Sequence, residues 1–327
     1  ARRFGVEHCH VTLGAAAYRE WLIPCAYHLD EPLATPSVAP YALCALAAKQ
    51  HKVVLCGQGA DEPLGGYPRH LAERLAGASL GGMLSAPARW AVALRPQSDR
   101  LERSTRVFAT PDPVRRMVES FSLFPSEEVR RLRGRAPDPD FLKGALEPVL
   151  RGSEHLDPLA RFLYLDARFS LADDLLLYGD KIAMSQSLEV RVPFLDLEFL
   201  RFVESIPARL RVGLLRPKRI LRQALAGILP ASILNRPKRN FSPPDSTWMD
   251  ASSPGASLGW MLAPQSALAR YCRREEIQRL MREQDQGRRD RRRQLFALLA
   301  FELWHRAFPG ARRIEPLAPV AELHARS

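Results

Sequence analysis

The sixteen residues Lys-Val-Val-Leu-Cys-Gly-Gln-Gly-Ala-Asp-Glu-Pro-Leu-Gly-Gly-Tyr (52 to 67) constrain this chain more than any other part of it. They open on Val53, Val54 and Leu55, a short apolar run of the kind that forms a strand buried on both faces. Gly57, Gly59, Gly65 and Gly66 follow within ten residues, around Asp61 and Glu62. Glycine at that density implies a backbone that turns hard and approaches something closely. Open α/β sheets place ligands at the carboxyl ends of parallel strands. A carboxylate pair there suits Mg²⁺, which takes one or two carboxylates beside phosphate oxygens and water. Spacing alone leaves a plainer alternative open, a tight turn with a solvated acidic tip.

A length of 327 residues allows one large domain or two ordinary ones. The balance of 46% hydrophobic to 26% charged residues is that of a globular chain. No run of 18 apolar residues is present, so no membrane partner is expected. The first residues, Ala-Arg-Arg-Phe-Gly-Val, have neither an initiator Met nor a signal-peptide core, so the chain is expected to start inside a larger protein. The five cysteines show no CxxC spacing and no disulfide or zinc framework, and a cytoplasmic location is expected. Cys9 lies between His8 and His10, but on a strand the two histidines share one face and Cys9 takes the other, which argues against a metal site.

The net charge of +12 raises a nucleic-acid reading. Its densest stretch, Arg273 to Arg293, holds nine Arg against five Asp or Glu, interleaved as on a solvated helix face. No aromatic residues alternate with those arginines to stack bases. The excess is read as an arginine bias plus attraction for anionic nucleotides, with no nucleic-acid partner. Only six basic residues are Lys, and Lys181, Lys218 and Lys238 fall in segments singled out below. A need for a compact ammonium keeps Lys where the rest drifts to Arg.

Glu7 to Leu13 reads as a strand, Ala16 to Cys25 as a helix, and Tyr41 to Gln50 as a helix leading into the Val53 strand. Strand, helix and strand in that order predict a doubly wound parallel sheet. After Tyr67 only helices are expected, beginning with 68 to 76. Residues 83 to 150 carry one clearly amphipathic piece, Ser122 to Leu132. Asp157 and Pro158 form an N-cap and first-turn pair that starts a long helical region. Pro217 to Ile228 reads as a helix burying Ile220, Leu221, Ala224, Leu225 and Ile228. Lys218 and Arg222, four apart on it, can face one site.

The stretch from 52 to 67 resembles the Ser-Gly-Glu-Gly-Ala-Asp-Glu-Leu-Phe-Gly-Gly-Tyr signature in the ATP-dependent synthetase domain of the asparagine synthetase family. Further likenesses are Asp30 to Pro32 with Pro36 and Ser37, the 164 to 177 helix register, Asp180 to Asp196, the basic 229 to 244 loop, and the closing 295 to 308 helix. The resemblance implies an α/β fold: a partial doubly wound parallel sheet of the adenine nucleotide α-hydrolase type, followed by a large, mainly α-helical portion. It divides the chain into a nucleotide-binding part (1–76), a variable helical connection (77–150) and a helical part completing the site (151–327).

The implied reaction activates a carboxylate, the aspartate side chain, with ATP as an acyl-adenylate, which ammonia then converts to an amide. By resemblance, Leu55, Cys56, Gly57, Gly59 and Asp180 line the nucleotide site, and Asp61 ligates Mg²⁺. Lys218 contacts the leaving pyrophosphate, with Gln58, Glu189 and Arg191 also in the catalytic group. Gly65, Gly66, Tyr67 and Lys238 belong to the substrate side. From the residues alone, Asp180–Lys181 and Glu189–Arg191 could equally be structural ion pairs. The implied partners are a small carboxylate, ATP, an amino-terminal glutaminase domain as ammonia source, and a second copy in a homodimer.

Two departures qualify the likeness. Cys56 and Gln58 stand where the family has Ser and Glu, and a general base typically supplies about 10²- to 10⁴-fold. This opens the acceptor to another carboxylate, as in enzymes of the β-lactam synthetase kind. The family's Ser-Gly-Gly-x-Asp-Ser loop is also absent from the sequence. Hydrogen bonds to charged groups are worth roughly 1.5 to 3 kcal/mol each, so losing three predicts a rate lower by roughly 10³- to 10⁶-fold. The chain is therefore expected to be a largely inactive fragment whose sheet lacks its first strands and exposes unpaired edges. A non-catalytic, ATP-binding scaffold is the remaining alternative.

Overall fold

A computed structural model describes residues 1–34, 37–75, 99–135, 139–213, 217–236 and 258–308. Among these, the sheet consists of two parallel strands, β1 (Val53–Leu55) and β2 (Glu189–Arg191). Their register pairs Val53 with Glu189, Val54 with Val190 and Leu55 with Arg191. The Cys56 N–H extends the ladder to Arg191 O at 2.8 Å, and the Glu189 N–H donates to Lys52 O at 2.9 Å. The protein is thus mixed α/β, with a small parallel sheet in a mainly helical body.

Two expectations about strands are corrected. Glu7–Leu13 is not a strand, and residues 6–14 have no regular structure and are mostly exposed. A strand is held by a neighbour's ladder, and no described segment supplies one there. With the strand goes the alternation that separated Cys9 from its neighbours, and the His8 and His10 rings stack with centroids 6.0 Å apart. The second correction concerns β1. It is not buried on both faces: Val53 is 41% exposed and Leu55 73%. Apolar content makes a strand willing to be covered, but burial needs a second layer and neighbours on both edges.

Helices carry most of the core. Tyr18, Trp21, Cys25 and Leu29 of the Ala15–Leu29 helix pack with Ile182, Leu280, Leu295 and Leu299 in one apolar cluster. That cluster joins the Val38–Ala47, Leu177–Met184, Arg274–Asp285 and Arg292–Ala307 helices. All five cysteines are free. The connection after Tyr67 runs through Pro68–Leu75, then Asp99–Ala109, Pro113–Phe121, Ser126–Arg133 and Pro139–Arg151. The arginine-rich stretch is not wholly solvated. Arg291 is buried and forms ion pairs with Glu128 at 2.7 Å and Glu283 at 2.7 Å, tying two helices together.

Asp157 caps the Pro158–Asp166 helix as its sequence predicts, Oδ1 accepting from the N–H groups of Leu159 and Ala160 at 3.0 Å. This helix is apolar on two sides. Phe162 and Leu165 pack with Met117 and Leu146, while Leu159 and Leu163 pack with Ala208 and Val212. It continues as a π-helical segment, Ala167–Leu176, and then as the Leu177–Met184 helix. The helix expected over Pro217 to Ile228 is shorter, Arg219–Ala224. Its apolar face is not buried: Ile220, Leu221 and Leu225 are half-buried, Ala224 is exposed, and Ile228 is 64% exposed.

Candidate active site

The glycine loop leaves β1 and folds back on itself, the Gly66 N–H donating to Asp61 O at 2.7 Å. Gly59 (φ +82°) and Gly65 (φ +70°) adopt left-handed conformations that favour glycine. A Cβ on Gly59 would overlap Leu195, and one on Gly65 would come within 2.5 Å of Val212. At Gly66 the constraint is the site itself. A Cβ there would overlap the Asp61 carboxylate and lie 2.7 Å from Lys218 Cε. Gly57 has open space around its Cβ position. Three of the four glycines are therefore required by close approach.

Lys218 reaches the loop from the opposite side. Its Nζ lies 3.0 Å from Asp61 Oδ1, with the two side chains 23% and 19% exposed. Lys218 itself has a left-handed backbone (φ +54°, ψ +43°) at the start of the Arg219–Ala224 helix, and its N–H points to Gly65 O at 3.4 Å. This conformation is unusual for a residue with a side chain. It delivers the ammonium to a half-buried carboxylate instead of to solvent. Arg222 does not join it. Its guanidinium donates to Pro217 O at 2.9 Å and Arg236 O at 3.4 Å, so the expectation that both cations face one site is corrected.

Gln58 turns away from Asp61, its Nε2 donating to Leu175 O at 2.6 Å in the π-helical segment. A carbonyl oxygen only accepts, so an amide suits this position and a carboxylate does not. Gly179 leaves the room, since a Cβ there would lie 3.2 Å from Gln58 Oε1. Cys56 is half-buried at the end of β1, and Leu55 is largely exposed beside it. Asp180, the next residue after Gly179, is exposed. Lys181 does not pair with Asp180: its Nζ binds Leu29 O at 2.8 Å and Glu31 Oε1 at 3.3 Å. Glu189 and Arg191 pair with each other at 2.8 Å on exposed side chains beside β1. Lys238 lies outside the described residues.

Behind the loop is a buried polar network that the sequence reading did not single out. Tyr67 donates its hydroxyl to Glu62 Oε1 at 2.7 Å, and Glu62 is fully buried. Burial pushes the Glu62 carboxyl up, and the nearby Asp166 and Asp61 carboxylates add to this against the Tyr67 bond. The His70 Nδ1 accepts from the Tyr67 N–H at 3.4 Å, while its Nε2 lies 2.6 Å from Asp166 Oδ2. Burial holds the imidazole below its ordinary value despite that carboxylate, so the ring is neutral with its proton on Nε2. Arg69 completes the group by donating to both Asp166 oxygens. Burial opposes the Asp166 charge, but His70 and Arg69 outweigh it and hold the carboxyl below its usual range. Arg211, also buried, donates to Pro63 O at 2.9 Å. One signal was available for Asp166: a carboxylate among Phe162, Leu163 and Leu165 implies a buried charge that needs a cation.

The donor set fits one divalent cation at most lightly held by protein. Asp61 is a half-buried carboxylate at the mouth of the loop, and Mg²⁺ takes one or two such groups beside phosphate and water. Among the described residues no group of three or more His, Cys, Asp or Glu side chains could hold a metal by itself. A separate cavity of about 720 Å³ is lined by Phe124, Tyr271, Phe301, Trp304 and Phe308 among others, and includes none of the loop residues. No helix among the described residues is long and apolar enough to cross a membrane.

A Mycobacterium tuberculosis protein named "Putative asparagine synthetase (glutamine-hydrolyzing)" is 33% identical over 330 residues, covering 94% of this chain and 47% of that protein. Asparagine synthetase (glutamine-hydrolyzing) 1 of Bacillus subtilis is 28% identical over 315 residues, covering 93% of this chain and 48% of its own length. A Penicillium rubens protein named amidase chyE is 25% identical over 284 residues, 76% of this chain and 41% of its own. The chain thus spans about half the length of the curated relatives it matches. The asparagine synthase family model matches residues 1–306, and the chain belongs to that family.

Proposed function

We propose that this chain is the adenylating portion of an ATP-dependent amidoligase of the asparagine synthase (glutamine-hydrolysing) type. The observation that carries the reading is the Lys218–Asp61 pair, 3.0 Å apart, formed by residues distant in sequence at the mouth of a glycine loop. In this reading a carboxylate oxygen of the substrate attacks the α-phosphorus of ATP, and the bond to pyrophosphate breaks. Ammonia then attacks the acyl carbon, AMP leaves, and the nitrogen gives up a proton to solvent base. Asp61 would hold Mg²⁺, which supplies positive charge against the triphosphate. Lys218 stabilises charge developing on the departing pyrophosphate. Gly59, Gly65 and Gly66 let the backbone come close to the phosphates, and Leu55 to Gly59 line the nucleotide. The loop would belong to a doubly wound sheet of the adenine nucleotide α-hydrolase type. A glutaminase domain supplies the ammonia, and the enzyme works in the cytoplasm as a homodimer.

Gln58 favours a second reading within the same chemistry. Its amide is neutral and bonded to Leu175, so it cannot serve as a base. That supports a substrate other than aspartate, as in intramolecular amide closure. The test is pyrophosphate release by the full-length protein with ATP, Mg²⁺ and a panel of carboxylates including aspartate. Release with one of them, lowered about 100-fold or more by Lys218→Met, supports the ligase. Binding of Mg-ATP without release on any carboxylate overturns it and leaves an ATP-binding scaffold.

A further inference from the structure

We propose that His70, held by Asp166 and Arg69, is a positioning residue that sets the Asp61–Lys218 pair through Tyr67. The importance of that pair rests on the ligase reading above, but the mechanical link does not. The chain of contacts is continuous. Asp166, fully buried at the end of the Pro158–Asp166 helix, takes His70 Nε2 at 2.6 Å and Arg69 Nη2 at 2.9 Å. Those two neighbours bracket Tyr67: His70 Nδ1 accepts its N–H at 3.4 Å, and the Arg69 guanidinium lies 3.8 Å over its ring. The Tyr67 hydroxyl then binds Glu62, the residue after Asp61, and the Gly66 N–H closes the turn on Asp61 O.

The mechanical route from these residues to the pair runs through Tyr67 and the 61–66 turn, and His70 also feels the Asp61 charge directly. The geometry also explains a neutral His70. A ring that must accept from a backbone N–H and donate to a carboxylate has one nitrogen for each, and a protonated ring would lose the first bond. Glutamine, whose Nε2 can take the place of the ring's Nε2–H, keeps the bond to Asp166. Alanine keeps neither.

The test uses the full-length protein and two readouts that do not need turnover: acylation of the Lys218 amine followed by mass spectrometry, and hydrogen exchange of peptides covering residues 59–67. His70→Ala is expected to raise Lys218 labelling about ten-fold, the order set by one hydrogen bond to a charged group. It should speed exchange in the loop while peptides from the Arg292–Ala307 helix stay unchanged. His70→Gln, which keeps the Asp166 bond but offers no acceptor to the Tyr67 N–H, is expected to restore both in part. Should His70→Ala fail to fold, Tyr67→Phe cuts the last link while keeping the ring under Arg69, and is expected to act in the same direction. Labelling and loop exchange that stay at wild-type levels overturn the proposal. So does a rise spread evenly over the whole chain, or one that His70→Gln does not lessen. Pyrophosphate release, measured on the same samples, reports separately: a protein that passes the labelling test and never turns over keeps the link and loses the ligase reading.

Discussion

Val53–Leu55 and Gly59–Tyr67 are neighbours in one short stretch, yet the structure treats them oppositely. The apolar half is the exposed one, with Leu55 at 73%, and the polar, glycine-rich half is buried, with Glu62 at 0%. Hydrophobicity states what a segment can tolerate, and coverage depends on what packs against it. β1 has one strand beside it among the described residues. The loop has the Pro158–Asp166 helix, Leu195, Val212, Arg211 and Lys218 pressed around it. Buried polar groups persist there because Glu62, His70, Asp166 and Arg211 each hold at least one partner, although Glu62 Oε2 and Arg211 Nε have none among the described residues.

Substitutions in the two halves test that contrast. The largest expected effects are inside the loop, at Gly66 and Leu64. Gly66→Ala forces the Asp61 carboxylate and Lys218 to move, and should lower stability by about 3 kcal/mol, read from the denaturant midpoint. An unchanged midpoint with the pair intact would show that the loop is looser than its contacts imply. Leu64, 1% exposed in the same loop, should cost about 2 to 5 kcal/mol as Leu64→Ala.

Next in size is a pH effect. His70 is neutral in the folded protein, among Asp166, Arg69, Asp61 and Tyr67, and burial depresses its affinity for a proton below the ordinary value of 6.5. The unfolded chain protonates first, so stability from this group is complete above about pH 6.5 and falls as the pH drops below it. The slope approaches about 1.4 kcal/mol per pH unit for one proton. Asp166 adds its own loss only below its ordinary 3.8, in a more acid range. Urea midpoints of wild type and His70→Gln between pH 7.5 and 5 should therefore diverge, with the variant less sensitive. Parallel curves would mean that His70 is charged in the fold. The smallest effect is expected at Leu55→Ala, within about 0.5 kcal/mol, because so little of the side chain is covered. A larger loss there would show that β1 is shielded in solution by something outside the described residues.

What was legible in the sequence follows the same division. The loop could be read because its glycines, Asp61 and the preceding strand are crowded into one stretch whose chemistry is local. The Asp157 cap was legible for the same reason. Lys218 was marked only faintly, by the scarcity of lysine and its spacing from Arg222; its role came from resemblance, and the left-handed backbone that aims it is a tertiary outcome. Arg69, His70 and Asp166 were passed over. Their meaning lies in a contact between residues nearly a hundred positions apart: the apolar neighbours of Asp166 hint at a buried charge, but nothing local names Arg69 and His70 as its partners. Glu7–Leu13 failed in reverse: its local pattern was right for a strand, but no neighbour was there to hydrogen-bond it.

The π-helical segment Ala167–Leu176 has one more effect. Bonding each residue five positions along makes the coil wider than an α-helix, so it rotates less with each step. Asp166 ahead of it holds the far end of the loop through His70, and Leu175 within it grips the near end through Gln58. The segment therefore works as a phase setter between two handholds. Deleting a single residue from it would leave both handholds intact but pointing in incompatible directions, so that the loop could be grasped at one end or the other and never at both.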